Sequence, residues 1–126
     1  MARILCVDDD KNYLELAKQE LEEGKYEVVT AENGTDAVER VREGNIDLVV
    51  MDIRMSGMDG LEAMAQIFYV KSDMPLILNS AYTSYKDNFM TWSADAYVVK
   101  SSDFTELKRE ISKALERRQK PLLGVK

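Results

Sequence analysis

Histidine is absent from this chain. That excludes His-based catalytic triads, histidine–metal sites and a phosphohistidine carried by the chain itself. Cysteine is nearly absent. The single Cys6 sits inside the apolar run Ile4-Leu5-Cys6-Val7, so no intramolecular disulfide can form and Cys-rich zinc sites are excluded. Cys6 reads as a small buried hydrophobe, and its solitary state fits a reducing compartment. No apolar stretch approaches the ~20 residues needed to cross a bilayer, and no signal-peptide pattern opens the chain. The net charge is −6, and no Lys/Arg-rich block appears before the C-terminal end. The basic footprint that direct nucleic-acid binding requires is therefore missing. These absences predict a cytoplasmic protein without membrane association, its 126 residues forming one domain around one core.

What is present is a set of carboxylates at the ends of apolar runs. Ile4-Leu5-Cys6-Val7 leads into Asp8-Asp9-Asp10, and Ile46-Asp47-Leu48-Val49-Val50-Met51 leads into Asp52. Both runs read as buried parallel strands. If their ends lie side by side, several carboxylates converge on one small volume. Like charges that close persist only with a cation between them or a proton on one of them. An all-oxygen acidic cluster suits a hard ion, with magnesium the first choice.

Along the chain, short apolar runs alternate with segments of helical period. Strands are predicted near residues 2–7, 26–30, 46–51, 75–79 and 95–99. Helical stripes follow: Leu14, Ala17 and Leu21; Ala37, Val38 and Val41; Leu61, Met64, Ala65 and Phe68; Phe104, Leu107, Ile111 and Leu115. Asp10 is a natural N-cap for the first helix. Asp103 with Glu106 resembles a capping box opening the last. The segment after Thr83 is the weakest helix, since Asn88, Thr91 and Ser93 are poor helix formers. Met51, Met55, Met58 and Met64 read as core filler. Such alternation implies a parallel sheet with helices on both faces. Right-handed crossovers put every strand's carboxyl end on one edge, where ligands bind in open sheets. Asp8, Asp9, Asp10, Asp52, Ser80 and Lys100 all fall at that edge.

The motifs V-D-D-D at 7–10, M-D-I-R-M-S-G-M-D-G at 51–60, N-S-A at 79–81 and A-D-A-Y-V-V-K at 94–100 occur in this order. Together they resemble the receiver domain of bacterial two-component response regulators, over residues 2 to 118. The resemblance implies a doubly wound, flavodoxin-like (βα)5 fold with strand order 2-1-3-4-5. It implies that Asp52 is the phosphoacceptor, that Asp9 binds Mg2+ directly with Asp8 helping through water, and that the Arg54 carbonyl is a further ligand. Ser80 would turn toward the phosphoryl group, Lys100 would pair with its oxygens, and Tyr97 would change rotamer. The implied donor is a phosphohistidine on a histidine kinase or histidine phosphotransfer protein. The reader would be a downstream protein target or effector domain, contacted by the fourth helix, fifth strand and fifth helix, with a phosphorylation-dependent dimer among the outputs. Such a domain is no enzyme beyond catalysing its own phosphorylation and dephosphorylation. An ionised aspartate suffices as nucleophile, so the missing histidine does no harm.

The chain departs from the family pattern at two prolines. Ser101 follows Lys100, so the Lys100–Ser101 bond is either trans with a displaced loop or cis at a cost of ~2.5–4 kcal/mol. Ser56 replaces the second proline and should loosen the loop after Asp52. Arg54 and Tyr82 each stand two residues past a key site residue, where the family tunes phosphoryl loss. Other readings compete. A receiver that only binds partners would have no need of Asp8, Asp9, Asp52, Ser80 and Lys100. An aspartate phosphatase would use the D-x-D of Asp8 and Asp10, but Asn12 stands where Thr or Val is expected and no cap domain fits. A nucleotide-binding protein would place glycines where Asp8-Asp9-Asp10-Lys11 stands. Residues 1–120 are expected to form the receiver, with 121–126 a tail or the start of a linker to a transcriptional or kinase module.

Overall fold

The computed structural model describes residues 1–82 and 89–119. Its elements are β1 (Arg3–Val7), α1 (Lys11–Glu23), β2 (Glu27–Ala31), α2 (Gly34–Glu43), β3 (Leu48–Met51), α3 (Gly60–Val70), β4 (Leu76–Ser80), a 3-10 turn (Phe89–Ser93), β5 (Ala96–Val99) and α4 (Thr105–Gln119). The strands form one parallel sheet in the order β2-β1-β3-β4-β5.

Alternation along each strand divides the core between the two faces. Leu5, Val7, Val49, Met51, Leu76 and Leu78 meet Ala37, Val38 and Val41 of α2 and Leu61, Ala63, Met64 and Ile67 of α3. Ile4, Cys6, Leu48, Val50 and Ile77 meet Leu14, Ala17 and Leu21 of α1 and Leu107, Ile111 and Ala114 of α4. The four methionines singled out in the sequence all join the α2–α3 side. In α3 the buried stripe is Leu61, Ala63, Met64 and Ile67, whereas Ala65 faces solvent. The sequence run is apolar nearly all round, so its periodicity did not fix the buried face.

The caps set where each helix starts. Asp10 accepts from the N–H groups of Asn12 and Tyr13, Asn33 from Asp36, and Asp59 from Glu62. At α4 the expected reciprocal box gives way to a tighter turn: Asp103 Oδ1 accepts from the Thr105 N–H at 2.9 Å and its hydroxyl at 2.6 Å. Thr105 thus engages the Asp103 carboxylate, and α4 runs from Thr105. Between β4 and β5, residues 83–88 lie outside those described, which takes in most of the expected fourth helix. What is described there is only the 3-10 turn, in keeping with its poor helix formers. The helix numbered α4 is thus the fifth of the sequence reading. Residues 120–126, which take in the expected tail at 121–126, also lie outside the described residues.

One glycine is required by proximity. The Gly60 N–H donates to the Ile53 carbonyl at 2.6 Å. A Cβ on Gly60 would lie 2.0 Å from the Asp52 carbonyl oxygen and 2.7 Å from the Ile53 Cα. The start of α3 therefore rests directly on the backbone of Asp52. Gly60→Ala is expected to lower stability by about 1–3 kcal/mol through overpacking, read as a lower urea midpoint with an unchanged slope.

Candidate functional site

The sheet register builds the site. Val7 of β1 pairs with Met51 of β3, so Asp8 and Asp52 leave adjacent strands side by side. The Asp52 N–H closes the ladder on the Val7 carbonyl at 2.9 Å. Ser80 of β4 pairs with Val99 of β5, and the Lys100 N–H donates to the Ser80 carbonyl at 2.8 Å. Four strand ends thus deliver Asp8, Asp52, Ser80 and Lys100 to one edge.

Asp8 and Asp52 are buried, whereas Asp9 is exposed at the rim. A carboxylate oxygen from each of the three lies within 4.8 Å of the others. The Lys100 ammonium lies 2.5 Å from Asp8 Oδ2 and 3.5 Å from Asp52 Oδ2. Three carboxylates facing one ammonium leave the cluster negative. Its oxygen donors suit a hard divalent cation rather than a thiolate- or imidazole-seeking metal.

Further bonds fix each carboxylate. Asp8 Oδ1 accepts from the Asp10 N–H at 2.9 Å. Asp52 Oδ1 accepts from the Ile53 N–H at 2.9 Å. Asp9 Oδ2 accepts from the Ser56 N–H at 3.1 Å. This last bond adds a constraint that the sequence reading did not foresee. Serine in place of proline was expected to loosen the loop, but proline has no N–H to give. Ser56 supplies one and ties the loop to Asp9.

Burial, and next the charge of Asp8, push the Asp52 carboxyl up to about 6, against the pull of Lys100 and the Ile53 N–H. Burial works against the Lys100 ammonium, but the hydrogen bond to Asp8 and the charges of Asp52 and Asp8 outweigh it and hold its pKa above the ordinary lysine range. Burial also drives the Cys6 thiol up to about 12, which keeps it an inert apolar neighbour.

The remaining expected residues lie around this centre. Ser80 is fully buried, its Oγ accepting from the Tyr82 N–H at 3.2 Å. The half-buried Tyr97 donates its hydroxyl to the Tyr82 carbonyl and packs against the α2–α3 core. The Arg54 guanidinium stacks over the Tyr82 ring, 4.7 Å from its centroid. A cavity of about 570 Å³ lined by Arg54, Met55, Ser56, Gly57, Asp59 and Tyr82 opens beside them. There is no cis peptide bond among the described residues, so Lys100–Ser101 is trans, and Lys100 nonetheless reaches both aspartates. Sequence reasoning missed Tyr13 and the amide of Asn79. The Tyr13 hydroxyl donates to Asn79 Oδ1 at 2.5 Å, and Asn79 Nδ2 donates to the Val98 carbonyl at 2.9 Å. No periodicity marks such pairs, because they come from α1, β4 and β5.

Fold and site together define a two-component signalling module. The family model for the response regulator receiver domain matches residues 4–112, and the chain belongs to that family. Among solved structures it is similar to the Thermotoga maritima response regulator TrrA in complex with Mg2+–BeF. Identity is 48%, the TM-score is 0.88, and 90% of this chain and 99% of that one are covered. It is equally similar to TrrA in complex with the histidine kinase ThkA, at 49% identity and a TM-score of 0.86 over 91% of this chain and 99% of that one. Among curated proteins it is 37% identical over 114 residues to the transcriptional regulatory protein ZraR of Klebsiella oxytoca, covering 89% of this chain. The chain spans 26% of the length of that relative.

The raised Asp52 value has a consequence for stability without metal. The carboxyl binds its proton more tightly in the folded chain, with a pKa of about 6 against 3.8. Stability therefore falls as pH rises through that window, and the penalty is complete above it. In EDTA, Asp52→Asn is expected to stabilise the protein by about 1–3 kcal/mol at pH 8. The gain should shrink toward pH 4 in urea denaturation; a gain independent of pH would contradict the burial of an ionised Asp52.

Proposed function

We propose that the domain is a phosphorylatable switch in which Asp52 takes a phosphoryl group from a phosphohistidine on a partner kinase or phosphotransfer protein. The observation that carries this reading is the convergence of Asp8, Asp9, Asp52 and Lys100 on one sheet edge. The TrrA complexes with Mg2+–BeF and with ThkA support it by similarity. The bond formed joins an Asp52 carboxylate oxygen to phosphorus. The bond broken is the phosphorus–nitrogen bond, whose electron pair stays on the departing imidazole. An anionic nucleophile approaching an anionic phosphoryl group needs positive charge aimed at the reacting oxygens.

Lys100 supplies such charge from one side, already 3.5 Å from Asp52. Asp8, Asp9, Asp52 and the Arg54 carbonyl are the groups that would hold Mg2+, which when bound supplies Lewis-acid neutralisation of the phosphoryl oxygens. Ser80 offers a hydroxyl that now accepts from Tyr82 and is free to reorient as a donor toward a modified Asp52. That motion would release the Tyr82 backbone and with it the Tyr97 hydroxyl, changing the surface formed by the segment before β5, β5 itself and α4. The shift is limited by the phosphoryl group's differential interaction with the two states. Residues 1–120 act as the receiver in this reading, in the cytoplasm, and the domain turns over no substrate beyond its own phosphoryl group.

The span of about a quarter of ZraR favours a related second reading, a receiver that governs an effector domain in a longer transcriptional regulator. Arg54 and Tyr82 have a role under either reading. Their stacked side chains stand at the mouth and shield the acyl phosphate from water.

Asp52→Asn is expected to abolish labelling by a phosphorylated partner kinase; continued stoichiometric labelling would remove Asp52 from its role. Lys100→Ala should slow labelling by about 100-fold, the scale for losing one preorganised charge. An Arg54→Ala/Tyr82→Ala double variant should lose its phosphoryl group several times faster than the wild type, by decay of radiolabel. Equal rates would refute the shield.

A further inference from the structure

Tyr13, in the first turn of α1, holds together parts of the site that come from distant stretches of chain. Its N–H donates to the Asp10 carboxylate at 3.2 Å, fixing its backbone. Its hydroxyl donates to Asn79 Oδ1, adding to the packing that sets the ring. With the ring set, one neighbour is Phe104, stacked with centroids 5.7 Å apart and planes at 24°. Another is the Lys100 ammonium, 4.5 Å from the ring centroid. Lys100 and Phe104 are the two ends of the segment Lys100-Ser101-Ser102-Asp103-Phe104, which contains no proline to stiffen it.

We propose that Tyr13 is a positioning residue for phosphoryl transfer, its aromatic face holding the Lys100 ammonium in place at Asp8 and Asp52. The proposal rests on the reading of Asp52 as phosphoacceptor. The physical need is specific. Lys100 has two anionic partners, 2.5 and 3.5 Å away. A flexible ammonium held by carboxylates alone drifts toward whichever carries more charge. Protonation of Asp52, its modification, or a cation drawing on Asp8 would each move it. The π-face of a ring attracts a cation through its quadrupole, and that attraction does not change when the carboxylates do. Burial, with the charge of Asp8 next, holds the Tyr13 hydroxyl above its ordinary pKa. The hydroxyl therefore remains a donor to Asn79 and the ring remains neutral. Phe104 on the same ring anchors the far end of the segment, doing by stacking what a rigid residue after Lys100 would do by covalent constraint.

The test uses Tyr13→Leu, Tyr13→Phe, and a perfluorinated phenylalanine at position 13 that keeps the ring's shape but reverses its electrostatics. Two readouts apply. The first is the Lys100 side-chain ammonium resonance in metal-free protein, which the ring current displaces only while the ammonium sits over the face. The second is the rate of labelling by acetyl phosphate with Mg2+. Tyr13→Phe should stay within about twofold of the wild type, whereas the leucine and perfluorinated variants should label about fivefold more slowly, the scale of one cation–π contact. Their Lys100 resonance should move to that of a lysine away from any ring. If Tyr13→Leu fails to fold, the perfluorinated ring decides. Should that variant match Tyr13→Phe in both readouts, the positioning role is overturned. Absence of labelling in the wild type would instead fell the Asp52 reading, and the ammonium resonance would still decide the part played by Tyr13.

Discussion

Two buried carboxylates on neighbouring strands repel each other, and the rest of the site answers that repulsion. Asp8 and Asp52 are carried to the same edge by the pairing of Val7 with Met51. Separating them would break the β1–β3 ladder, so they must be neutralised where they stand. The chain uses both available remedies. Lys100 bridges the pair, and the Asp52 carboxyl holds its proton to about 6. A buried pair of this kind is weak evidence for stability, since desolvation offsets much of the attraction. Its value is chemical. In the proposed function, the same repulsion that weakens the site would favour a cation among the oxygen donors and the attack of Asp52 on a phosphoryl group.

The loops that surround this centre lack two prolines common in the family, and local hydrogen bonds and ring contacts stand in their place. Ser56 contributes an N–H to Asp9 that proline would not possess. Tyr13 clasps both Lys100 and Phe104 across the segment without proline. On the other side, Gly60 lets α3 press onto the backbone of Asp52. In the proposed function each of these devices would help to hold in place a group that takes part in the reaction. Preorganised charge is effective only when it need not be rearranged during reaction.

A different logic governs the strand-four side. Ser80, Tyr82 and Tyr97 form a short relay: the Tyr82 N–H reaches Ser80 Oγ, and the Tyr97 hydroxyl reaches the Tyr82 carbonyl. Both bonds use the backbone of one residue, so in the proposed switch a rotation of Ser80 would act on Tyr97 through Tyr82. The neighbouring 3-10 turn has little helical propensity of its own, which fits a segment that rearranges at low cost.

The sequence alone determined the strands, the parallel sheet and the edge on which Asp8, Asp9, Asp52, Ser80 and Lys100 gather. Strand termini follow from apolar runs, and parallel crossovers orient every terminus alike. It also fixed the Asp10 cap, a matter of adjacent residues. Tertiary structure alone decided the buried face of α3, because a helix apolar nearly all round carries no periodic signal. The same holds for the bond from Ser56 to Asp9, the Arg54–Tyr82 stack, and the ring of Tyr13 beneath Lys100. These contacts join residues 28 to 87 positions apart and depend on side-chain rotamers set by packing. A pattern of residue types specifies which elements form and where they end. Which side chains then touch is settled only when the elements are packed together.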